Sequence, residues 1–454
     1  MAYGTNRRQV LRGAAATVAA AGLGGAAFAK ARPYRVGVIG SGWFGQLNAH
    51  ALMQVAPAEV IAMCDVDSRM LHDAANWIMA MPDSVAKPTR RPQLYHDYRT
   101  MLAKHHFDIV IVATPDHWHA LPGIAAMKAG AHVYLEKPVS VDVVEGQALL
   151  ATARATGRVV QVGTQRRNSP CHIEARDRVI REGRLGKVGL IELFSDQRPN
   201  IFPPPSPPPA GMDWDFYCGP AAVVPYREGI HPRAWRAFRE FGNGSIGDIG
   251  VHFMDLSRFL LGLGAPTKIS AMGGDFIDKS APSTLSDTMS AQIKFDDLVM
   301  NWTNRQWGDT SDAFKGWSAI LYGEKGTLKT SWNNYEFVPL GNSEPHIAGR
   351  LDPEFGKFPH DRALDDSDKT LTPLTRYNML DFLAAIQTGK RPAADIEQGV
   401  ISTSCAILAN LSADIGRSIR WDAGQQRVLG DDEAQKRLAR PYREPWIHPA
   451  AADV

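Results

Sequence analysis

Cysteine is scarce in this chain: four in 454 residues, Cys64, Cys171, Cys218 and Cys405, with no CxxC pair. That spacing argues against a structural zinc site or a disulfide scaffold and predicts free, buried thiols. Charge of one sign is scarce as well. The formal net charge is +2, and no basic stripe, RNA-binding motif, heptad run or internal repeat accompanies it, so neither nucleic acid nor a coiled coil is expected as partner. Long hydrophobic runs are missing too. The apolar stretch at residues 13–28 is Ala/Gly-rich, too short and too weak for a stable membrane span.

Acid is absent from residues 1–31, which hold Arg7, Arg8, Arg12 and Lys30; taking these four cations from +2 leaves −2. Thr5-Asn6-Arg7-Arg8-Gln9-Val10-Leu11-Arg12 is a twin-arginine pattern, with Ala27-Phe28-Ala29 and Ala29-Lys30-Ala31 as alternative cleavage sites. A membrane anchor or an amphipathic helix is the other reading. The expectation is a removable signal over 1–31, the twin-arginine export machinery as partner, and a periplasmic or otherwise exported location.

What the chain does contain begins with a glycine turn in full context. Tyr34-Arg35-Val36-Gly37-Val38-Ile39 reads as an apolar strand, Gly40-Ser41-Gly42-Trp43-Phe44-Gly45 follows at once, and residues 46–54 read as a helix. A second strand, Val60-Ile61-Ala62-Met63-Cys64, ends at Asp65, twenty residues beyond Gly45. This arrangement predicts a dinucleotide site formed by Gly40, Gly42, Trp43, Phe44 and Gly45. Gly40 allows the tight turn, Gly42 the approach of a pyrophosphate, and Gly45 close helix packing, while the helix N-terminus offers N–H groups to phosphate. Asp65 can accept both hydroxyl protons of an adenosine ribose. Its carboxylate repels a 2′-phosphate and so favours NAD, although Arg69 nearby leaves NADP open.

Helices and strands keep alternating to residue 162, which predicts an α/β domain over 32–162 with a parallel sheet. Ligands in such sheets lie at the carboxyl ends of the strands. Three segments fall there: Thr114-Pro115-Asp116-His117-Trp118-His119, Glu136-Lys137-Pro138, and Gly163-Thr164-Gln165-Arg166-Arg167. Later, Gly242-Asn243-Gly244-Ser245-Ile246-Gly247-Asp248-Ile249-Gly250-Val251-His252 sets Asp248 and His252 one helical turn apart, so both can face one pocket.

With these motifs in order from Tyr34 to Asp422, the chain resembles the glucose–fructose oxidoreductase, inositol dehydrogenase and rhizopine-catabolism family. The resemblance implies a Rossmann NAD(P)-binding domain followed, over 163–454, by an α+β domain for substrate binding and oligomerisation, with a large, mainly antiparallel open sheet. It implies hydride transfer at a CH–OH group of a carbohydrate or polyol, a homodimer or homotetramer, and no metal. Lys137, Asp248 and His252 would share proton handling and touch substrate. Thr114, Pro115, His119, Glu136, Lys137 and Gln165 would contact the cofactor. Arg166, Trp235 and Arg236 would contact substrate.

Plainer readings stand beside these. Lys137 is otherwise a loop lysine, His252 a half-buried core histidine, Asp248 a helix N-cap, and Arg166 and Arg167 inter-domain salt bridges. Trp118 either stacks on a ligand or packs a loop, and Glu136 either meets a ribose or neutralises Lys137. A relative's chemistry, glycoside cleavage by transient oxidation, elimination and hydration, is the alternative function. A non-enzymatic sugar sensor is the third.

Beyond 163 the pattern changes to successive strands with short turns. The proline-rich stretch at residues 198–209 is expected to wrap the site's rim, and 341–370 to form a second rim loop. Trp214-Asp215-Phe216-Tyr217 and Trp235 supply aromatics for a sugar ring. Helices are expected over 373–388 and 396–417, and the tail after Asp422 reads as irregular.

Overall fold

A computed structural model describes residues 32–82, 88–197, 200–277, 279, 282–308, 317–341 and 345–453. The signal reading of residues 1–31, and Arg198-Pro199 of the proline-rich stretch, lie outside these described residues.

The first domain begins with β1 (Tyr34–Ile39), α1 (Trp43–Val55), β2 (Ala58–Cys64), α2 (Ser68–Met79), β3 (Gln93–Tyr95) and α3 (Tyr98–Lys104). It continues with β4 (Ile109–Val112), α4 (Ala120–Lys128), β5 (His132–Leu135), α5 (Val143–Thr156) and β6 (Val160–Val162). The six strands form one parallel sheet in the order β3-β2-β1-β4-β5-β6. A strand buried on both faces needs a continuous apolar run, and every residue of β4 is fully buried.

The second domain opens with α6 (Pro170–Ala175), β7 (Val188–Asp196), α7 (Trp214–Cys218) and a two-residue pair, β8 (Glu228–Gly229) and β9 (His231–Pro232). After α8 (Val251–Leu261) come β10 (Lys268–Gly274), β11 (Thr288–Lys294), β12 (Val299–Arg305), β13 (Trp317–Gly323), β14 (Gly326–Thr330), β15 (Asn334–Pro339) and β16 (Ile347–Arg350). Two helices follow, α9 (Asp366–Thr388) and α10 (Ile396–Ile415), then β17 (Ile419–Asp422), β18 (Arg427–Val428) and α11 (Asp432–Lys436). Ten strands make one sheet, β16-β15-β14-β13-β7-β12-β11-β10-β17-β18, antiparallel except where β7 meets β12. The architecture is therefore the expected one: a parallel nucleotide-binding sheet followed by a large, mainly antiparallel sheet.

Two late helices return to the first domain. Met379, Phe382 and Leu383 of α9 join the core around Val36, Val38 and Val60, and Ile396 and Val400 of α10 join that around Val112 and Val162. A chain boundary at 163 thus does not mark where first-domain packing ends. α9 also starts seven residues before Pro373, which sits inside it.

The tail after Asp422 is irregular apart from β18 and α11, as expected, but it is docked as a strap. The Tyr442 hydroxyl donates to Glu145 at 2.6 Å, Arg443 pairs with Asp215 at 2.6 Å, and Trp446 lies edge-on to Trp118 at 4.8 Å. All four cysteines are buried and free.

Candidate active site

A cavity of about 1530 Å³ runs from the glycine turn to the end of the second sheet. That exceeds the roughly 300–1,000 Å³ usual for one small ligand. Gly40, Gly42, Trp43, Phe44, Asp65, Thr114, Pro115, His119, Glu136, Lys137, Gln165, Trp235, Arg236, Asp248 and His252 all line it. The structure therefore brings together segments that are far apart in the chain.

The cofactor end is shaped by what a side chain would strike. Gly40 has a φ of +87°, and a Cβ at Gly45 would lie 2.0 Å from the Gly40 carbonyl oxygen. Only glycine fits at either position. A Cβ at Gly42 would meet nothing closer than the Met70 Cε at 3.4 Å, so this side of the turn stays open. α1 carries neither an acid in its first turn nor a side-chain cap, leaving its N–H groups for an anion. Asp65 accepts from the Ser41 N–H at 2.7 Å, the Ser41 hydroxyl at 2.9 Å and the Asp67 N–H at 3.0 Å. A carboxylate has further lone pairs for ribose hydroxyls. The indole of Trp43 donates to Asp368 of α9 at 2.7 Å, tying the turn to the second domain. Thr114 Oγ1 is buried in the wall with no partner, a polar group waiting for a ligand. These residues fit a dinucleotide.

Arg69 does not line the cavity: its guanidinium is 59% exposed and pairs with Asp67 at 3.3 Å.

At the other end, Lys137 is buried and its Nζ donates to Asp248 Oδ1 at 2.6 Å and to the Asp248 carbonyl at 3.0 Å. Arg236 Nε reaches the same Oδ1 at 3.0 Å. Burial pushes the Asp248 carboxyl up, but the Arg236 and Lys137 cations outweigh it and hold the group well below the ordinary carboxylate range. Asp248 lies in a π-helical turn, Ile246–Gly250, ahead of α8, so it caps no helix and orients Lys137 rather than His252. His252 is buried against Trp332, ring centroids 5.6 Å apart, with Nδ1 unpartnered. Burial, reinforced by Arg166 and Lys137, holds its pKa well below 6.5, so the imidazole is neutral at neutral pH.

Other expectations resolve differently. Glu136 does not neutralise Lys137; it accepts from Asn48 at 2.9 Å and from the Lys137 backbone N–H at 3.2 Å, and burial raises its pKa. A Cβ on Gly163 would sit 2.6 Å from that carboxylate. His119 lies between two loops, with ring nitrogens 2.6 Å from the Pro138 carbonyl and 2.9 Å from that of Thr114; burial lowers it to about 4, and the neutral ring donates to one of the two. Trp118 packs: it is buried, stacked on Phe216 and bonded to the Tyr217 carbonyl. Arg166 is absent from the cavity wall. It is 2% exposed and stacks on Trp332 at 4.0 Å, while Arg167 pairs with Asp255 at 2.7 Å within the second domain rather than between domains. Trp214 lies in a buried cluster, stacked on Tyr217 at 4.7 Å, away from the wall.

The sequence reading passed over Asp116. It lines the cavity at 4% exposure, and burial raises its carboxyl well above the usual range despite Arg236 and Lys137. Its place two residues after Thr114 at a strand's carboxyl end was the available signal. Both rim loops reach the cavity, through Asn200 and through Arg350, Leu364 and Asp365.

Residues 34–164 match a family described as "Oxidoreductase family, NAD-binding Rossmann fold", and residues 213–420 match its "C-terminal alpha/beta domain". The first domain is thus an NAD-binding domain. Among curated relatives, the chain is 33% identical over 122 residues to a glycosyl hydrolase family 109 protein from Shewanella woodyi, covering 27% of this chain and 26% of that one. It is 27% identical over 237 residues to levoglucosan dehydrogenase from Pseudarthrobacter phenanthrenivorans, covering 50% and 51%. The matches thus span about half or less of these relatives' lengths. Among solved structures, an aldose-aldose oxidoreductase from Caulobacter crescentus, complexed with glycerol, superposes with a TM-score of 0.62 at 18% identity over 86% of this chain and 100% of that one, a likeness of fold.

Proposed function

The chain belongs to the Gfo/Idh/MocA oxidoreductase family, and from that premise we propose that it moves hydride to or from a CH–OH carbon of a sugar, polyol or sugar derivative. The observation that carries this reading is one cavity with two ends: the glycine turn and Asp65 at the first, Lys137, Asp248 and neutral His252 at the second. Bound NAD supplies the hydride acceptor or donor. The protein's own residues handle the proton. His252, neutral and lining the cavity, accepts the hydroxyl proton as the carbon is oxidised. Lys137 presents a fixed N–H to the substrate oxygen as charge develops there. Asp248 fixes that ammonium, and Arg236 keeps Asp248 ionised.

The test is Lys137→Ala. A sugar that raises the near-ultraviolet band of reduced nicotinamide in the wild type should raise none in the variant, while NAD titrates both proteins equally. Unchanged turnover in the variant would remove Lys137 from the chemistry.

The proposal extends to export under the residue 1–31 signal, a homo-oligomer, and a cofactor recycled in place as one sugar is oxidised and another reduced. Cell fractionation after substituting Lys for Arg7 and Arg8 checks the first, since blocked export would retain the protein in the cytoplasm. Glycoside cleavage is the second reading; the stretch shared with the Shewanella woodyi protein covers only 27% of this chain and does not favour it over hydride transfer. Release of nitrophenol from aryl glycosides without a lasting nicotinamide band would establish it.

A further inference from the structure

Beyond the reacting groups, the cavity continues along a wall that proton handling does not use. Trp332 stands 5.6 Å from His252, centroid to centroid, and Trp317 stands 5.1 Å further on, tilted by 59°. Both rings line the cavity and are only half-buried, so each keeps surface for a ligand. Both are also fixed. Arg166 covers one side of Trp332 at 4.0 Å, and the Trp317 indole N–H donates to the Asp196 carbonyl at 3.2 Å. Asp196, Gln197 and Asn333 line the same stretch. Rigid indoles beside carboxylate and amide groups offer apolar faces for the C–H side of a pyranose and hydrogen-bond partners for its hydroxyls.

From this wall we infer a second sugar subsite on Trp332 and Trp317, so that the substrate is a glycoside or disaccharide whose second unit lies there while the first reacts at Lys137 and His252. The inference rests on the proposed hydride chemistry for its reacting end. Its own support is the wall itself, two fixed and half-buried indoles that run on from His252 beside Asp196, Gln197 and Asn333.

The experiment uses the full-length protein with bound NAD. It compares a free monosaccharide with its methyl glycoside, its nitrophenyl glycoside and a disaccharide, in the wild type and in Trp317→Ala and Trp317→Phe. Two quantities are read: kcat/KM for nicotinamide reduction, and sugar affinity by calorimetry. A second subsite predicts at least tenfold better use of the two-ring compounds than of the monosaccharide. Trp317→Ala erases that advantage, and Trp317→Phe keeps most of it. Equal use of one-ring and two-ring compounds by the wild type, or an advantage that survives Trp317→Ala, overturns the subsite. If no compound reduces the nicotinamide yet two-ring sugars bind tenfold tighter to the wild type than to Trp317→Ala, the hydride reading fails and the subsite stands.

Discussion

Asp248→Asn tests the electrostatic centre of the site with almost no change of volume. The carboxylate sits between the Lys137 ammonium at 2.6 Å and the Arg236 guanidinium at 3.0 Å, both within the protein. An amide there leaves two cations facing each other without a counter-charge. Removing one partner of a buried pair typically costs about 3–5 kcal/mol. Asp248 keeps 17% of its side chain exposed, which places the expected loss near the lower end, about 3 kcal/mol. At about 2–4 °C per kcal/mol for medium-sized domains, the thermal midpoint should fall by roughly 6–12 °C. Turnover should drop about 100-fold, because a reacting group released from its anchor loses the alignment that accelerates the reaction. Calorimetric scans with saturating NAD and steady-state rates measure both effects. Asp116→Asn is the internal control. Burial already disfavours its charged form, so neutralising it should cost less than Asp248→Asn does. If Asp248→Asn lost under 1 kcal/mol and kept its turnover, the Lys137–Asp248–Arg236 arrangement would not be what holds the site.

Gly45→Ala should abolish measurable NAD binding by fluorescence titration, because its Cβ would lie 2.0 Å from the Gly40 carbonyl oxygen and α1 must move off the turn. Arg69→Ala should change NAD affinity less than threefold, since the guanidinium is exposed and paired with Asp67; a larger loss would return Arg69 to the cofactor site. His119→Gln is expected to be less stable than the wild type at pH 7.5, with the gap narrowing on acidification. His119 titrates near 4 when folded and near 6.5 when unfolded, so its contribution is present above 6.5 and lost as pH falls from 6.5 toward 4. At pH 5 the gap in urea unfolding free energy should have shrunk by about 2 kcal/mol, and a pH-independent gap would refute a neutral buried His119.

The fold was legible because its signals are local. A glycine turn between a strand and a helix, an apolar β4 and the alternation up to β6 are patterns over short spans, and backbone sterics allow few conformations for them. The second sheet was legible for the same reason, from period-two strands with short turns. The late helices were less so. Pro373 looked like a helix start because proline favours the first turn, yet α9 begins at Asp366 and brings Asp368 to Trp43. The strap after Asp422 has little periodic signal, since its order comes from distant partners such as Glu145, Asp215 and Trp118.

The site divides the same way. The sequence by itself determined which glycines form the turn, that Asp65 closes β2, and that Lys137, Asp248 and His252 are of the right kinds. Only the tertiary structure decided who pairs with whom. Lys137 and Asp248 are 111 residues apart, and their contact depends on how the two domains pack. Burial, which no local pattern reports, keeps His252 neutral, raises the Asp116 carboxyl and holds Arg166 behind Trp332. Chemical type and backbone turn are written along the chain. Desolvation and charge pairing arise from groups distant in sequence, and they exist only once the chain has folded.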